Sequence, residues 1–387
     1  MKQNKPSILI ANGTMNAGGT ETLIMEILRH QTGRVRYILM VHYQDQIQEG
    51  IFDDEIRSLG VEIVYIPSVG SIGINGYCKQ FQEVVAHLGK IDVIHSHLNA
   101  NGGIICKAAK MAGIKHRICH CHADIRFKGS RVTNLKEELV LQVLRLYVNH
   151  YCTDFWACSN EAWKRLFYPW KKKVVIHNMI DVQKYLTSSS EKGKAKAAIG
   201  LEGKFIVGSV GRVARIKNYE LVLEAIAILK KKAIETHFVC YGRFDSKKDA
   251  YCAELLTLAE KFGIMDMVHF MDNTTNVARD IKAFDVFLMP STTEGFGMAA
   301  IEAQAAGLPS LLSTGVPRIV DVELGLVNFL ITNPQEWADT IYQSLKESTY
   351  RPHFIPHKRI LEAFDKKGYN SVSMVIEIEN KYIRMVE

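Results

Sequence analysis

Ser7-Ile8-Leu9-Ile10-Ala11-Asn12 runs into Gly13-Thr14-Met15-Asn16-Ala17-Gly18-Gly19-Thr20 and then into Glu21–His30, where Leu23, Ile24, Ile27 and Leu28 recur at helical spacing. An apolar run, a glycine loop and an amphipathic stretch together read as a strand feeding a helix through a tight turn. The same unit repeats outward along the chain. Val35–Val41, Val61–Ile66, Ile91–His95, Arg117–Cys121 and Thr153–Cys158 read as further strands, with helices at Gly76–Leu88, Gly103–Met111 and Leu135–Val148 between them. Strand–helix alternation implies parallel pairing with right-handed crossovers, so an α/β, doubly wound sheet. The pattern breaks at the polar run Ser188-Ser189-Ser190-Glu191-Lys192-Gly193-Lys194 and restarts with Phe205–Val210, Leu221–Leu229, His237–Tyr241, Ala250–Phe262, Val286–Met289 and Ser310–Leu312. The expected organisation is therefore two Rossmann-like domains facing across a cleft: residues 1–185, a linker at 186–203, a second domain at 204–357, and helices over 358–387.

Composition sets the outer limits. In 387 residues, 47% are hydrophobic and 23% charged, which gives ample core and excludes a disordered, collagenous or rod-like chain. The apolar runs are too short to span a membrane, and the run after Pro6 is too short for a signal-peptide core, so a cytoplasmic protein is expected. Eight scattered cysteines fit a reducing compartment better than a disulfide scaffold. Residues 1–185 hold 23 Lys and Arg against 16 Asp and Glu, and 10 of the 14 histidines, so the whole net charge of +7 lies in the first half. A basic half suits an anionic partner such as a phosphate or an acidic membrane surface.

The glycine loop is not a nucleotide-hydrolase loop. Gly13 and Gly18 have the right gap, but Gly19 stands where that motif demands Lys, and no G-x-G-x-x-G follows the strand. What remains is a Gly18-Gly19 pair that lets a ligand approach bare backbone N–H groups. In the second half, Gly211-Arg212-Val213-Ala214-Arg215-Ile216-Lys217-Asn218 follows a strand and opens a helix. Arg212 and Lys217 there suit a diphosphate, one as a planar fork and one as a point charge beside a helix dipole. Further on, Glu294-Gly295-Phe296-Gly297 leads an alanine-rich helix that carries Glu302 two turns in. Carboxylates beside such a turn bind hydroxyls, and its amides receive sugar or phosphate oxygens.

Two further clusters bear on partners. In Cys119-His120-Cys121-His122 a strand sends the cysteines to one face and the histidines to the other. With no second pair at zinc spacing, no metal is expected there. Trp163–Lys173 mixes aromatics with five cations and, with Arg126, Lys128 and Arg131, suits an acidic membrane surface or a lipid-linked diphosphate. No nucleic-acid module is present.

Glu294 and Glu302, with seven residues between them and Gly295-Phe296-Gly297 behind the first, resemble the E-x7-E signature of retaining GT-B glycosyltransferases, family 4 (group 1). Gly18-Gly19-Thr20-Glu21 resembles the family's first glycine loop. Asp92–His97 and Ala157-Cys158-Ser159 resemble its strand ends, Val175–Asp181 its pre-linker motif, and Val210-Gly211-Arg212 with Lys217 its cationic turn. The likeness covers roughly residues 7–345 and is strongest to bacterial members that build exopolysaccharide or capsule. Met179, Arg243 and Arg318 depart from the usual residues.

The resemblance implies a retaining transfer of a hexose or N-acetylhexosamine from a nucleotide sugar, UDP being favoured, to a saccharide acceptor, plausibly lipid-linked. Arg212 and Lys217 would neutralise the departing diphosphate, Glu302 would bind ribose and Glu294 the sugar. Gly295, Phe296 and Gly297 would supply donor contacts, and Gly18 and Gly19 would bring backbone to the reacting face. A histidine at the fifth strand's end would face the sugar, His122 or else His120. The C-terminal helices would cross back to the first domain. No metal or cofactor is implied, and the protein would be cytoplasmic, at most peripheral at the inner membrane face. A sugar-nucleotide 2-epimerase shares the fold, and a non-catalytic nucleotide-sugar-binding partner subunit is the alternative of another class.

Overall fold

The computed structural model describes residues 5–16, 18–122, 131–274, 276–350 and 355–387. The chain divides into two units, 1–180 with 368–387, and 181–367. In the first, seven parallel strands lie in the order β3-β2-β1-β4-β5-β6-β7: β1 Ser7–Asn12, β2 Arg36–Tyr43, β3 Glu62–Pro67, β4 Val93–Ser96, β5 His116–Cys121, β6 Asp154–Ala157 and β7 Lys173–Val175. Every residue of β1 is buried, as expected of a parallel strand covered on both faces. Its period of two divides the core, with Ile8 and Ile10 in one cluster and Leu9 and Ala11 in the other.

The second unit repeats the plan with six parallel strands, β10-β9-β8-β11-β12-β13: β8 Ile206–Val210, β9 His237–Tyr241, β10 Val268–Met271, β11 Val286–Met289, β12 Ser310–Ser313 and β13 Val327–Leu330. Gly208 in β8 has no substitute, because a Cβ there would stand 2.2 Å from the Phe284 ring. β10 and β13 have no counterpart in the sequence reading. They are four-residue strands at the two edges of the sheet, incompletely buried, and so lack the continuous apolar run that marks the central strands.

Two expected boundaries are corrected. Residues 186–203 are not a linker, because they carry helix Ser189–Ala198, opened by a capping box in which Ser188 and Glu191 satisfy each other's backbone N–H groups. Lys192 and Lys196 of that helix hold Asp285 at 2.8 and 2.6 Å, which ties it to the second unit. Residues 358–387 are not one returning segment either. Helix His357–Lys367 belongs to the second unit, burying Ile360 and Phe364, and Gly368 with φ of +70° ends that run. Only helix Ser371–Val386 packs in the first unit, where Val375, Ile378 and Tyr382 enter the core. Its Glu379 is buried, accepting from Thr32 N at 3.0 Å and from the Thr32 hydroxyl, with Arg34 at 3.3 Å.

Candidate active site

In an open α/β sheet, ligands seat outside the strand carboxyl ends where the strand order reverses. In the second unit that point lies between β8 and β11, and each supplies one of the loops singled out above. After β8 the chain turns at Gly211, φ +145°, passes Arg212, and makes a short turn at Arg215–Lys217 before helix Tyr219–Lys231. The turn is tight: a Cβ on Gly242, at the end of β9, would stand 1.9 Å from the Gly211 carbonyl. That contact explains why a glycine precedes Arg243. Thr292 N donates to the Ile216 carbonyl at 2.8 Å, joining the β8 loop to the β11 loop.

This join brings Lys217 and Glu294 together, with Nζ 2.5 Å from Oε1 and side chains 20% and 15% exposed. Ser291 Oγ donates to the same oxygen at 2.8 Å, and Glu294 N to the Gly315 carbonyl at 3.1 Å. The carboxylate is thus fixed by two loops and a cation. Arg212, on the same turn as Lys217, is exposed and has no ion-pair partner among the described residues, whereas Arg215 is committed to Glu254. The arrangement presents a free guanidinium and a paired ammonium, both available to an incoming anion.

Helix Met298–Ala305 begins after Gly297, which sits at φ +95° with the positions of Val320 and Val316 only 3.2 and 3.3 Å from an added Cβ. Gly295 is exposed and open. Glu302 lies one turn into this helix rather than two, since the helix starts at Met298. Burial pushes its carboxyl up to about 7, against the opposing effect of the Tyr185 hydroxyl, which donates to Oε1 at 3.0 Å. Tyr185 and Ser291 were not among the expected site residues. Tyr185 stands 117 positions from its partner, and no spacing rule reaches that far.

The first unit's reversal point lies between β1 and β4. Gly18 caps helix Gly19–Arg29, and an added Cβ on Gly19 would stand 4.0 Å from Asn178 Nδ2. A cavity of about 600 Å³ opens there, bounded by Gly13, Thr14, His42, Asp45, Gln46 and Asn101 among others. Beyond β5, His122 N donates to Asn99 Oδ1 at 2.7 Å. His122 keeps part of its surface exposed while His120 is enclosed, in contact with Trp156. Desolvation lowers the His122 imidazole to about 3 and His120 well below its ordinary value. Both are neutral at pH 7. Met179, where the resembling family carries Gly, is buried in the first-unit core, and Arg318 stacks over Phe329 at 4.5 Å. Arg126 and Lys128 lie outside the described residues, as does the side chain of Arg131.

Two parallel sheets, each with a ligand loop at its strand-order reversal, define the two-sheet GT-B class, and comparison with known proteins agrees. Across the whole chain, the glycosyltransferase of Rickettsia africae matches with a TM-score of 0.77 at 15% identity over 99% of both chains. HepE of Anabaena, solved in complex with UDP, matches at 0.70 with 18% identity over 99% of this chain and 97% of HepE. At these identities the likeness is one of fold. Residues 191–360 match the family model of the glycosyl transferases group 1, a stretch that lies within the second unit. Full-length relatives extend the likeness. EpsF of Bacillus subtilis (strain 168), a glycosyltransferase by its name, is 28% identical over 99% of this chain and 97% of EpsF. CapH of Staphylococcus aureus, a capsular polysaccharide biosynthesis glycosyltransferase, is 27% identical over 84% of this chain and 87% of CapH.

Proposed function

We propose that the protein is a retaining glycosyltransferase that moves a hexose or N-acetylhexosamine from a UDP-sugar to a saccharide acceptor in exopolysaccharide or capsule synthesis. The observation that carries this reading is the Lys217–Glu294 pair at the second unit's reversal point, with free Arg212 on one side and Glu302 in the helix behind. Negative charge grows on the diphosphate as the C1–O bond to phosphate breaks, and Lys217 and Arg212 stabilise it where it develops. The acceptor oxygen bonds to C1 on the face the diphosphate leaves, and its proton passes to the departing phosphate. Glu294 holds sugar hydroxyls and Glu302 the ribose, while His122 is assigned to the sugar by the family resemblance. The positive charge comes from side chains, so transfer proceeds without added metal. EpsF supports the activity and CapH the pathway class, and HepE bound to UDP supports the base.

A lipid-linked acceptor is supported by the surface of helix Arg131–Tyr151. Leu135, Leu139, Val143 and Leu146 form one exposed stripe, and Trp170 is 75% exposed beside Lys171, Lys172 and Lys173. Arg145 of the helix stacks over Tyr168, and Tyr168 meets Trp170 at 4.8 Å, so the Trp170 run packs beside this helix. Exposed apolar side chains with a basic aromatic run nearby suit an anionic bilayer. Among the described residues no helix is long and apolar enough to cross a membrane.

The test is to incubate the protein with UDP-sugars, EDTA and lipid-linked saccharide, then determine the product's anomeric configuration by NMR. The reading expects a product with the donor's configuration. Epimerised sugar nucleotide without acceptor would identify a 2-epimerase, and no turnover with intact UDP binding would identify a partner subunit. Sedimentation with vesicles should capture the protein when phosphatidylglycerol is present, and Leu139→Ser with Leu146→Ser should release it.

A further inference from the structure

The carboxyl edge of the first sheet holds more chemistry than sugar transfer uses. His95 ends within β4 and His97 follows it; His120 ends within β5 and His122 follows that. Because β4 and β5 are parallel neighbours, with His95 opposite Ile118, the two His-x-His pairs meet side by side. His95 and His120 stack at 5.3 Å and 7°, and His97 and His122 at 4.9 Å and 13°. His95 Nε2 lies 3.1 Å from His120 Nδ1, and His97 Nδ1 lies 2.8 Å from His122 Nε2. Tyr382 OH, 2.6 Å from His95 Nδ1, orients the innermost ring.

Buried nitrogens remain unsatisfied in this cluster: among the described residues, His97 Nε2, His120 Nε2 and His122 Nδ1 have no partner at normal hydrogen-bond geometry, although the Ile176 backbone lies close enough to His120 to act on it. A native core seldom leaves such atoms unpaired, and three in one cluster of one residue type ask for an occupant. Ligand atoms of His95, His97 and His120 all lie within 4.8 Å of one another. Bonds of about 2.0–2.1 Å to a tetrahedral ion need nitrogens about 3.4 Å apart, so small rotations of the rings would close the site. The donors are nitrogen alone, which suits d-block ions and not calcium or magnesium.

We propose that His95, His97 and His120 form a three-imidazole site for a divalent d-block cation of the zinc class, with His122 beside the remaining position. Reading one strand at a time hides this site, because the second pair that zinc spacing seems to lack is His95-x-His97 on the neighbouring strand. The proposal concerns the first unit and shares His122 with the nucleotide-sugar reading; metal binding measured without nucleotide tests it separately from that reading.

The experiment uses the full chain without a histidine tag, stripped with EDTA and returned to chelator-free buffer. It is titrated with Co²⁺, followed by visible absorption, and with Zn²⁺, followed by calorimetry. One equivalent should bind, with the intense d–d bands of a low-coordinate site, and Mg²⁺ should not compete. His97→Ala and His120→Gln should each weaken Zn²⁺ by roughly 100-fold or more, since even outer partners of a ligand matter by 10–100-fold. X-ray absorption on the wild-type zinc complex should show at least three nitrogen neighbours at about 2.0 Å, and it serves even where a variant fails to fold. No saturable binding to the wild type, or oxygen-dominated coordination, would overturn the proposal. So would Zn²⁺ affinity unchanged in both folded variants.

Discussion

The two sheet edges share a topology and carry opposite chemistry. At the second unit's reversal point a lysine and a glutamate meet at 2.5 Å with a free arginine on the same turn. Along the first unit's edge, four stacked imidazoles are held neutral by burial, and no salt bridge links them. One edge can meet an anion with charge at once; the other offers uncharged nitrogens and an amide-rich cavity. The difference teaches that a shared fold fixes where a ligand sits, while the side chains at the strand ends fix what kind of ligand it is.

The contrast breaks first at Lys217. Lys217→Ala should lower turnover roughly 10²–10³-fold, the range for losing one preorganised group that stabilises transition-state charge; steady-state kinetics with unchanged circular dichroism checks this. Turnover within a few-fold of wild type would mean the charged edge is not the reacting one. Glu294→Ala sharpens the point. It should lose about 10²-fold in transfer and yet bind UDP as tightly as wild type or tighter, because the carboxylate that competes for Lys217 is gone.

Glu302 adds a pH signature. Its folded-state pKa of about 7 lies above the ordinary carboxyl value of 4.5. The folded state therefore holds this proton more tightly than the unfolded chain, and its contribution to stability is lost as pH rises from 4.5 towards 7. Glu302→Gln should remove that slope and be the more stable form at pH 8 by up to ~3 kcal/mol, read from denaturant midpoints. Ribose hydroxyls need the ionised acceptor, so wild-type UDP affinity should rise about tenfold from pH 6 to 8 and stay flat in the variant. The smallest effect is expected on the neutral edge. Tyr382→Phe removes the partner of His95 Nδ1 and should cost about 1 kcal/mol of stability, with the UDP response intact.

Much of this is legible in the sequence alone. The central strands announce themselves as continuous apolar runs because both faces of a parallel sheet are covered, and pattern alone locates Arg212, Lys217 and Glu294 in loops at strand exits and Glu302 in the helix that follows. The edge strands β10 and β13 escaped because an edge needs little apolar surface. The segment 186–203 was misread for its polarity, although Ser188-x-x-Glu191 carries the capping signature of a surface helix. The histidine layer was hidden for a different reason: it is made by the pairing of two strands, and neither strand shows it alone.

The central claim is that the charged edge of the second unit seats the nucleotide diphosphate without a metal. The most direct measurement is the melting temperature of wild type, Lys217→Ala and His122→Ala with saturating UDP and excess EDTA. At 100-fold saturation a ligand specific for the folded state adds about 2.7 kcal/mol. A rise in wild type and His122→Ala that is absent in Lys217→Ala is the predicted result. A rise that survives in Lys217→Ala, or that appears in no protein until magnesium replaces EDTA, would contradict the account.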